Sequence, residues 1–312
     1  MATNITIEDM DSYVNEPVQE SKPRTPKKTN YDPKNYLNVN LDFKNGEYER
    51  DIRIRILPID KDHGVPFKKV PMHNTKVPVD VAPSGFKSFI CLEKEAEIDH
   101  ERFGDKCPFC EMRKIAYDKS QMLSLSEEER AMWKQVSLSC IPHDVCIVRC
   151  IERGHEEDGP KFWRFNIGSQ GKDPYSLLMK LYNTRLNESR EEGDGDLNIF
   201  DIYEGKDIII NVKAQQENGK YVNKKTITIT DYGKAKPASP DPDKIEEWVN
   251  DPKKWTDCFT PKPYGYLSVL LEGGTPWYDK ATETWIAKKS KDEMKSESEK
   301  EHDVHDENDL PY

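Results

Sequence analysis

Over residues 51–57 apolar and charged positions alternate strictly, Ile52, Ile54 and Ile56 against Asp51, Arg53 and Arg55. A period of two predicts a β-strand with the isoleucines toward a core and both arginines outward, ended by Pro58. From 65 to 110 the periodicity weakens, while histidine, proline and cysteine accumulate. This insert has too few apolar residues to build a core of its own. A helix is predicted over about 110–120, with Met112, Ile115 and Ala116 on one side, and Ser126-Glu127-Glu128-Glu129 is a capping box opening a second. Strand signals return at 145–151 and at 162–167, where Trp163, Phe165 and Ile167 share a face opposite Phe162. Asp173-Pro174 starts a short helix over 175–182, and 185–196 reads as an acidic, glycine-rich loop. Asn218-Gly219 joins strands at 208–213 and 221–230 in a hairpin, and Asp241-Pro242 opens a helix carrying Ile245, Trp248 and Val249.

Five or six short strands, a helix between the two strand groups and a cysteine-rich insert point to a mainly β protein built on a small antiparallel barrel. Strand count alone does not separate one small barrel from another. Residues 1–34 are polar and proline-containing, without periodicity, and are expected to be a disordered leader. The folded core is expected over 35–280, with the cysteine-rich subdomain at about 63–120. Residues 281–312 are charged and aperiodic, a disordered acidic tail.

Composition supports disordered ends: of 312 residues, 35% are hydrophobic and 34% charged, and the mean hydropathy is −0.89. No apolar run approaches the roughly 18 residues of a membrane span. Residues 1–20 lack the basic start and apolar stretch of a signal peptide. A soluble, cytoplasmic protein without a membrane partner is expected. The net charge of −11 averages three different regions. A basic arm holds Lys22, Arg24, Lys27 and Lys28, the core is mixed, and in the last twelve residues the only charges, His being neutral, are the acids Glu301, Asp303, Asp306, Glu307 and Asp309. Local distribution therefore governs binding.

Seven cysteines with uneven spacing do not form a secreted disulfide framework. Cys107-Pro108-Phe109-Cys110 sets two thiolates at a spacing that suits one ion, directly before a helix. Tetrahedral zinc needs two more nitrogen or sulfur ligands. Cys91 and His73 are the leading upstream candidates, with His100 and His63 competing. One structural ion would supply the cross-link that apolar burial in the insert cannot. A redox motif would need a βαβ setting, which is absent. Cys140, Cys146 and Cys150, in or beside a predicted strand, read as buried structural thiols.

The order strand, histidine, cysteine, C-x-x-C, helix, strands resembles the single-stranded DNA-binding (helix-destabilising) proteins of T-even-type phages. Ile54-Arg55-Ile56-Leu57-Pro58 is similar to that family's I-R-F-L-P strand, and Pro66-Phe67 followed by His73 fits its next segment. Residues 159–168 are similar to its aromatic strand after a glycine loop, and Tyr203-Glu204-Gly205-Lys206 to a late element. The resemblance runs from about 54 to 259. It implies an OB-fold, a five-stranded antiparallel barrel, with one structural zinc on His73, Cys91, Cys107 and Cys110. It also implies binding of single-stranded DNA without sequence preference, in replication, recombination and repair, in a host cytoplasm if the protein is phage-encoded. The spacings from His73 to Cys91 and from Cys91 to Cys107 are longer than in that family. Ser139-Cys140-Ile141-Pro142-His143 stands where the family has a tyrosine-rich stretch.

Single-strand binding needs cations for phosphates and exposed aromatic faces for bases. Arg53, Arg55, Arg149 and Arg164, on the charged side of their strands, are candidates for the first. Phe86 and Phe89 flanking Lys87, and Phe162, are candidates for the second. The basic arm can contact phosphates or a neighbouring protomer, and the family's basic N-terminal segment implies self-association along DNA. At the other end, acids including Asp306, Glu307 and Asp309 close on Leu310, Pro311 and Tyr312. This tip resembles the acidic tail with a terminal I-P-F on bacterial single-stranded DNA-binding proteins, which recruits replication and repair enzymes. A basic-rimmed apolar pocket on replication and recombination partners is the expected receptor. No Walker motif, nucleophile elbow or clustered acid pair stands out, so an enzyme is not expected. The competing expectation is a zinc-stabilised scaffold that binds proteins only.

Overall fold

The computed structural model describes residues 33–59, 65–95, 106–168, 170–259 and 261–288. The basic arm, the acidic tip, His63 and His100 lie outside the described residues.

Among these residues the strands form a seven-stranded antiparallel sheet and a separate two-stranded hairpin. The sheet comprises β1 (Glu49–Leu57), β2 (Phe67–Lys76), β3 (Phe86–Ile90), β4 (His143–Glu152), β5 (Lys161–Asn166), β6 (Asp207–Glu217) and β7 (Lys220–Tyr232); β8 (Pro276–Asp279) and β9 (Thr284–Ala287) form the hairpin. β4 is the organiser. One of its edges pairs β2 over His143 to Val148 and then β1 from Arg149 onward, while the other edge takes β5. β1 and β2 thus lie end to end along β4. β1 continues onto β6, and β6 onto β7. No pairing among the described residues joins β7 or β3 back to β5, so the sheet is open where a closed five-stranded barrel was expected. Among the described residues the free edge of β5 carries only a bridge from Tyr36 to Phe162.

Both faces of this sheet are covered, and the two coverings explain most of the burial. On one face Ile52, Ile54, Ile56, Cys146, Val148 and Trp163 pack against Leu178 of a helix and against Ile199 and Phe200. That helix, α4 (Pro174–Glu192), follows α1 (Leu92–Glu95), α2 (Pro108–Gln121) and α3 (Glu127–Ser139). On the other face Leu57 and Ile151 meet Ile245 and Trp248 of α5 (Pro242–Asn250). Further along that face Val70, Val145, Ile147 and Phe162 meet Trp255 and then Leu267 and Leu270 of α6 (Tyr264–Leu271). Each such fully buried large side chain contributes about 1.5–3 kcal/mol.

Local signals set the boundaries. Ser126 and Glu129 form the reciprocal capping box expected for α3, and Asn218 (φ 51°) with Gly219 (φ 74°) supplies the two left-handed residues of the β6–β7 turn. α4 runs ten residues past its expected end near 182, through what was read as a loop. Arg185 anchors that extension by hydrogen-bonding Asp231 of β7 at 3.0 and 2.7 Å, and Gly193 ends it in the left-handed region. β2 and β3 occupy the segment where periodicity weakened. Thr284–Ala287, inside the expected disordered tail, is a strand because Trp285 packs on Tyr266. Among the described residues no helix is long and apolar enough to cross a membrane.

Candidate metal centre and its surroundings

Three separate pieces of chain bring the four expected ligands together. His73 sits in β2, opposite Phe89 of β3. Cys91 directly follows β3 and is held by its N–H donating to the Pro71 carbonyl at 2.9 Å. Cys107 is the N-cap of α2 and Cys110 lies in its first turn, with Pro108 at the first helical position. This proline costs nothing there, because the first amides of a helix have no internal acceptor. The same helix end carries partial positive charge, which favours thiolates.

The four ligand atoms all lie within 4.8 Å of one another. Cys91 Sγ is 3.5 Å from Cys110 Sγ, and His73 Nε2 is 3.4 Å from Cys107 Sγ and 3.7 Å from Cys110 Sγ. Zinc–sulfur bonds of about 2.3 Å in a tetrahedron place donors about 3.7 Å apart. The spacing therefore fits a small tetrahedral ion. Burial adds to the case: His73 is 1% exposed and Cys91 and Cys107 are 0%. His73 Nδ1 is buried with no hydrogen-bond partner among the described residues, and its ring stacks on Phe109. Three thiols and an imidazole crowded into one dry site make poor partners for each other and good ligands for one cation. Without an ion, the Cys107 thiol is pushed down, since Cys110 and Cys91 donate to it, and Cys91 is pushed up to about 11 by the same exchange with Cys107. The cluster can hold one metal ion such as zinc.

Cys140, Cys146 and Cys150 are buried, at 3% exposure or less, and lie outside this cluster. Burial, with Lys69 opposing and Asp173 adding to it, pushes the Cys146 thiol up to about 12. These are core thiols.

No protein-family model and no curated protein sequence matches the chain.

Several residues expected to face DNA are interior, and the C-terminal covering of the sheet is the reason. Arg55 was placed outward by alternation, yet it is 0% exposed. Its guanidinium lies 3.3 Å from the buried carboxylate of Asp207 and donates to the Lys236 carbonyl. Burial pushes the Arg55 pKa down to about 10, with Asp207 opposing the shift. Arg153 completes the cluster, donating to Asp207 Oδ1 at 3.1 and 2.7 Å. Arg149, 1% exposed, donates to the carbonyls of Trp248, Val249 and Asp251 at the end of α5. Phe162 (2%) and Phe89 (4%) belong to the core beneath α6. Alternation separates two faces of a strand but does not say that one is open to solvent.

The remaining candidates stay at the surface. Arg53 has a side chain 43% exposed and lies 5.0 Å over the Tyr232 ring. Arg164 is exposed, stacks over Phe259 and donates to the Cys258 carbonyl. Phe86 is 52% exposed and Lys87 is also exposed. Trp163 and Phe165 pack together on the α4 side, Trp163 fully buried, as expected.

Sequence reasoning passed over the C-terminal hairpin. Tyr278 and Trp285 are partners in its register, and Trp285 meets Tyr266 of α6 edge to face at 5.1 Å. Gly265 permits this approach, because a Cβ there would lie 3.2 Å from Trp285. Two short runs rich in aromatic and β-branched residues, Pro276-Trp277-Tyr278 and Thr284-Trp285-Ile286, around a polar turn are a strand–turn–strand signal that was available in the sequence.

Proposed function

We propose that this chain is a single-stranded DNA-binding protein of phage type that is not an enzyme. It has an OB-type platform, one structural zinc on His73, Cys91, Cys107 and Cys110, and a host-cytoplasmic setting. It coats DNA without sequence preference during replication, recombination and repair. The basic arm supports self-association along the strand, and the acidic tip recruits partner proteins. The observation that carries this reading is the four-ligand cluster at the foot of β3, whose outer end presents exposed Phe86 and Lys87. A metal at that place pins an edge strand without relying on a large core, and holds an aromatic ring and a cation at the surface. Four protein ligands leave no open position for a reactive water, which favours a structural ion over a zinc-dependent nucleic-acid enzyme.

The test is titration of the full chain with poly(dT), followed by tryptophan fluorescence across salt concentrations. The reading expects quenching and an affinity that falls steeply as salt rises. No binding at low salt, with or without the last twelve residues, would overturn it. One observation favours the second reading, a zinc-stabilised protein-interaction scaffold: α2 and α3 expose Ile115, Tyr117, Met132 and Leu138, with Leu123 88% exposed in the link between them. That reading expects the metal without any affinity for single strands.

A further inference from the structure

Beside the metal centre the C-terminal hairpin, α6 and the edge strand β3 meet, and their side chains form one continuous series. Phe89 of β3 contacts Tyr266 edge to face at 6.2 Å, Tyr266 contacts Trp285 at 5.1 Å, and Trp285 contacts Tyr278 at 5.3 Å. Only Phe89 is buried; Tyr266, Trp285 and Tyr278 are each half-buried. Two cations sit over this series, Lys87 Nζ 5.8 Å above Phe89 and Lys262 Nζ 5.3 Å above Tyr266. Neither lysine has an acidic partner among the described residues. They are near enough to repel, and this repulsion and burial both push Lys262 down from its ordinary value, burial the more strongly.

Two ammonium groups held together without a counter-charge are a cost to the fold. An anion between them would remove it. Beneath them lie partly open aromatic faces, fixed by the packing of Trp285 on Gly265. A two-stranded hairpin is marginal alone, and this one is held against α6 by those same rings. We propose that Lys87, Lys262, Tyr266, Tyr278 and Trp285 form a binding platform for single-stranded DNA, the lysines taking successive phosphates and the rings stacking on bases. The platform rests on the single-strand reading above and gives it a location, on the metal-pinned edge of the sheet and away from the buried Arg55 and Arg149. Unstacked bases offer the π-faces these rings need, whereas duplex DNA keeps its bases paired and stacked.

The experiment uses the full chain and fluorescein-labelled oligothymidylate of about thirty residues, with anisotropy as the readout. The double substitution Lys87→Gln/Lys262→Gln is expected to weaken binding about 10-fold and to lower the salt slope by about 1.4, two phosphate contacts at about 0.7 each. Its thermal midpoint should not fall below that of the unsubstituted protein, since neither lysine makes an ion pair among the described residues and the repulsion between them is removed. Trp285→Phe should remove most of the tryptophan quenching. Trp277→Phe, in the partner strand β8 and on the opposite face of the hairpin from the Tyr278–Trp285 pair, should keep it. A wild-type complex with an iododeoxyuridine-containing strand should cross-link under ultraviolet light to peptides holding Tyr266 or Trp285, a result that needs no variant to fold. The platform is overturned, with the single-strand reading intact, if the wild type binds while the lysine variant keeps its affinity and slope and cross-links map elsewhere. If the wild type does not bind at low salt, both fall together.

Discussion

Arg149→Ala separates the two roles open to a strand arginine, holding the fold or holding a phosphate. In the structure this side chain is 1% exposed and its guanidinium donates to Trp248 O at 2.7 Å, Asp251 O at 3.1 Å and Val249 O at 3.2 Å. The Asp251 carboxylate lies 3.8 Å away. These carbonyls end α5, where no further helical amide can reach them, so the arginine serves as the helix's C-terminal cap from the strand beneath it. A hydrogen bond to a charged group contributes about 1.5–3 kcal/mol, and the three share one donor group, so they do not add fully. Removing the guanidinium also leaves buried acceptors unsatisfied and a cavity beside Trp248. A loss of about 3–5 kcal/mol follows. Urea denaturation followed by far-ultraviolet circular dichroism should show the midpoint falling accordingly. Arg53→Ala, with a half-exposed side chain, should cost no more than about 1 kcal/mol. A change below about 1 kcal/mol for Arg149→Ala, with weakened binding of single strands, would refute the assignment of this residue to the fold.

Cys107→Ser should lower bound metal from about one zinc per chain to near zero by elemental analysis; retention of a full equivalent would exclude Cys107 as a ligand. Gly205→Ala should destabilise by about 1–3 kcal/mol in the same urea assay, because a Cβ there would lie 2.1 Å from the Asp201 carbonyl oxygen; an unchanged midpoint would show that the turn relaxes freely. The Asp231 carboxyl is held below its ordinary value of 3.8; burial opposes this, but Lys206 and Arg185 outweigh it. A depressed carboxylate contributes stability above its unfolded pKa and loses it as pH falls through the folded one. The melting temperature of Asp231→Asn should therefore fall less than that of the wild type between about pH 4 and pH 2, and parallel curves would contradict this pair network.

The strands with strict alternation, the capped helices and the Asn218-Gly219 hairpin were legible because each rests on a local rule. The four-residue cluster was legible too, since Cys107-Pro108-Phe109-Cys110 constrains geometry by itself and Cys91 and His73 supply two further sulfur and nitrogen donors upstream, while spacing alone left His100 and His63 in competition. The destination of the charged strand face was not. Arg55 and Arg149 look solvent-facing until residues 236–251, nearly a hundred or more positions away, lie over them and offer backbone carbonyls. β2 and β3 were hidden because their burial is shared among the histidine–cysteine cluster, β4 and α6, which blurs the period of two. The end of α4 was hidden because its last turns are polar and held by Arg185 to Asp231, a pairing no local pattern contains. The open sheet follows from β4 pairing three strands, a long-range property.

Competition between single and duplex DNA tests the central claim most directly. Metal-loaded full-length protein is bound to labelled oligothymidylate at low salt, and unlabelled single strands or duplex of equal length are added. The account predicts displacement by any single strand regardless of sequence, weak displacement by duplex, and release of the labelled strand as salt is raised. Equal displacement by duplex and single strands, or no complex to displace, would contradict it.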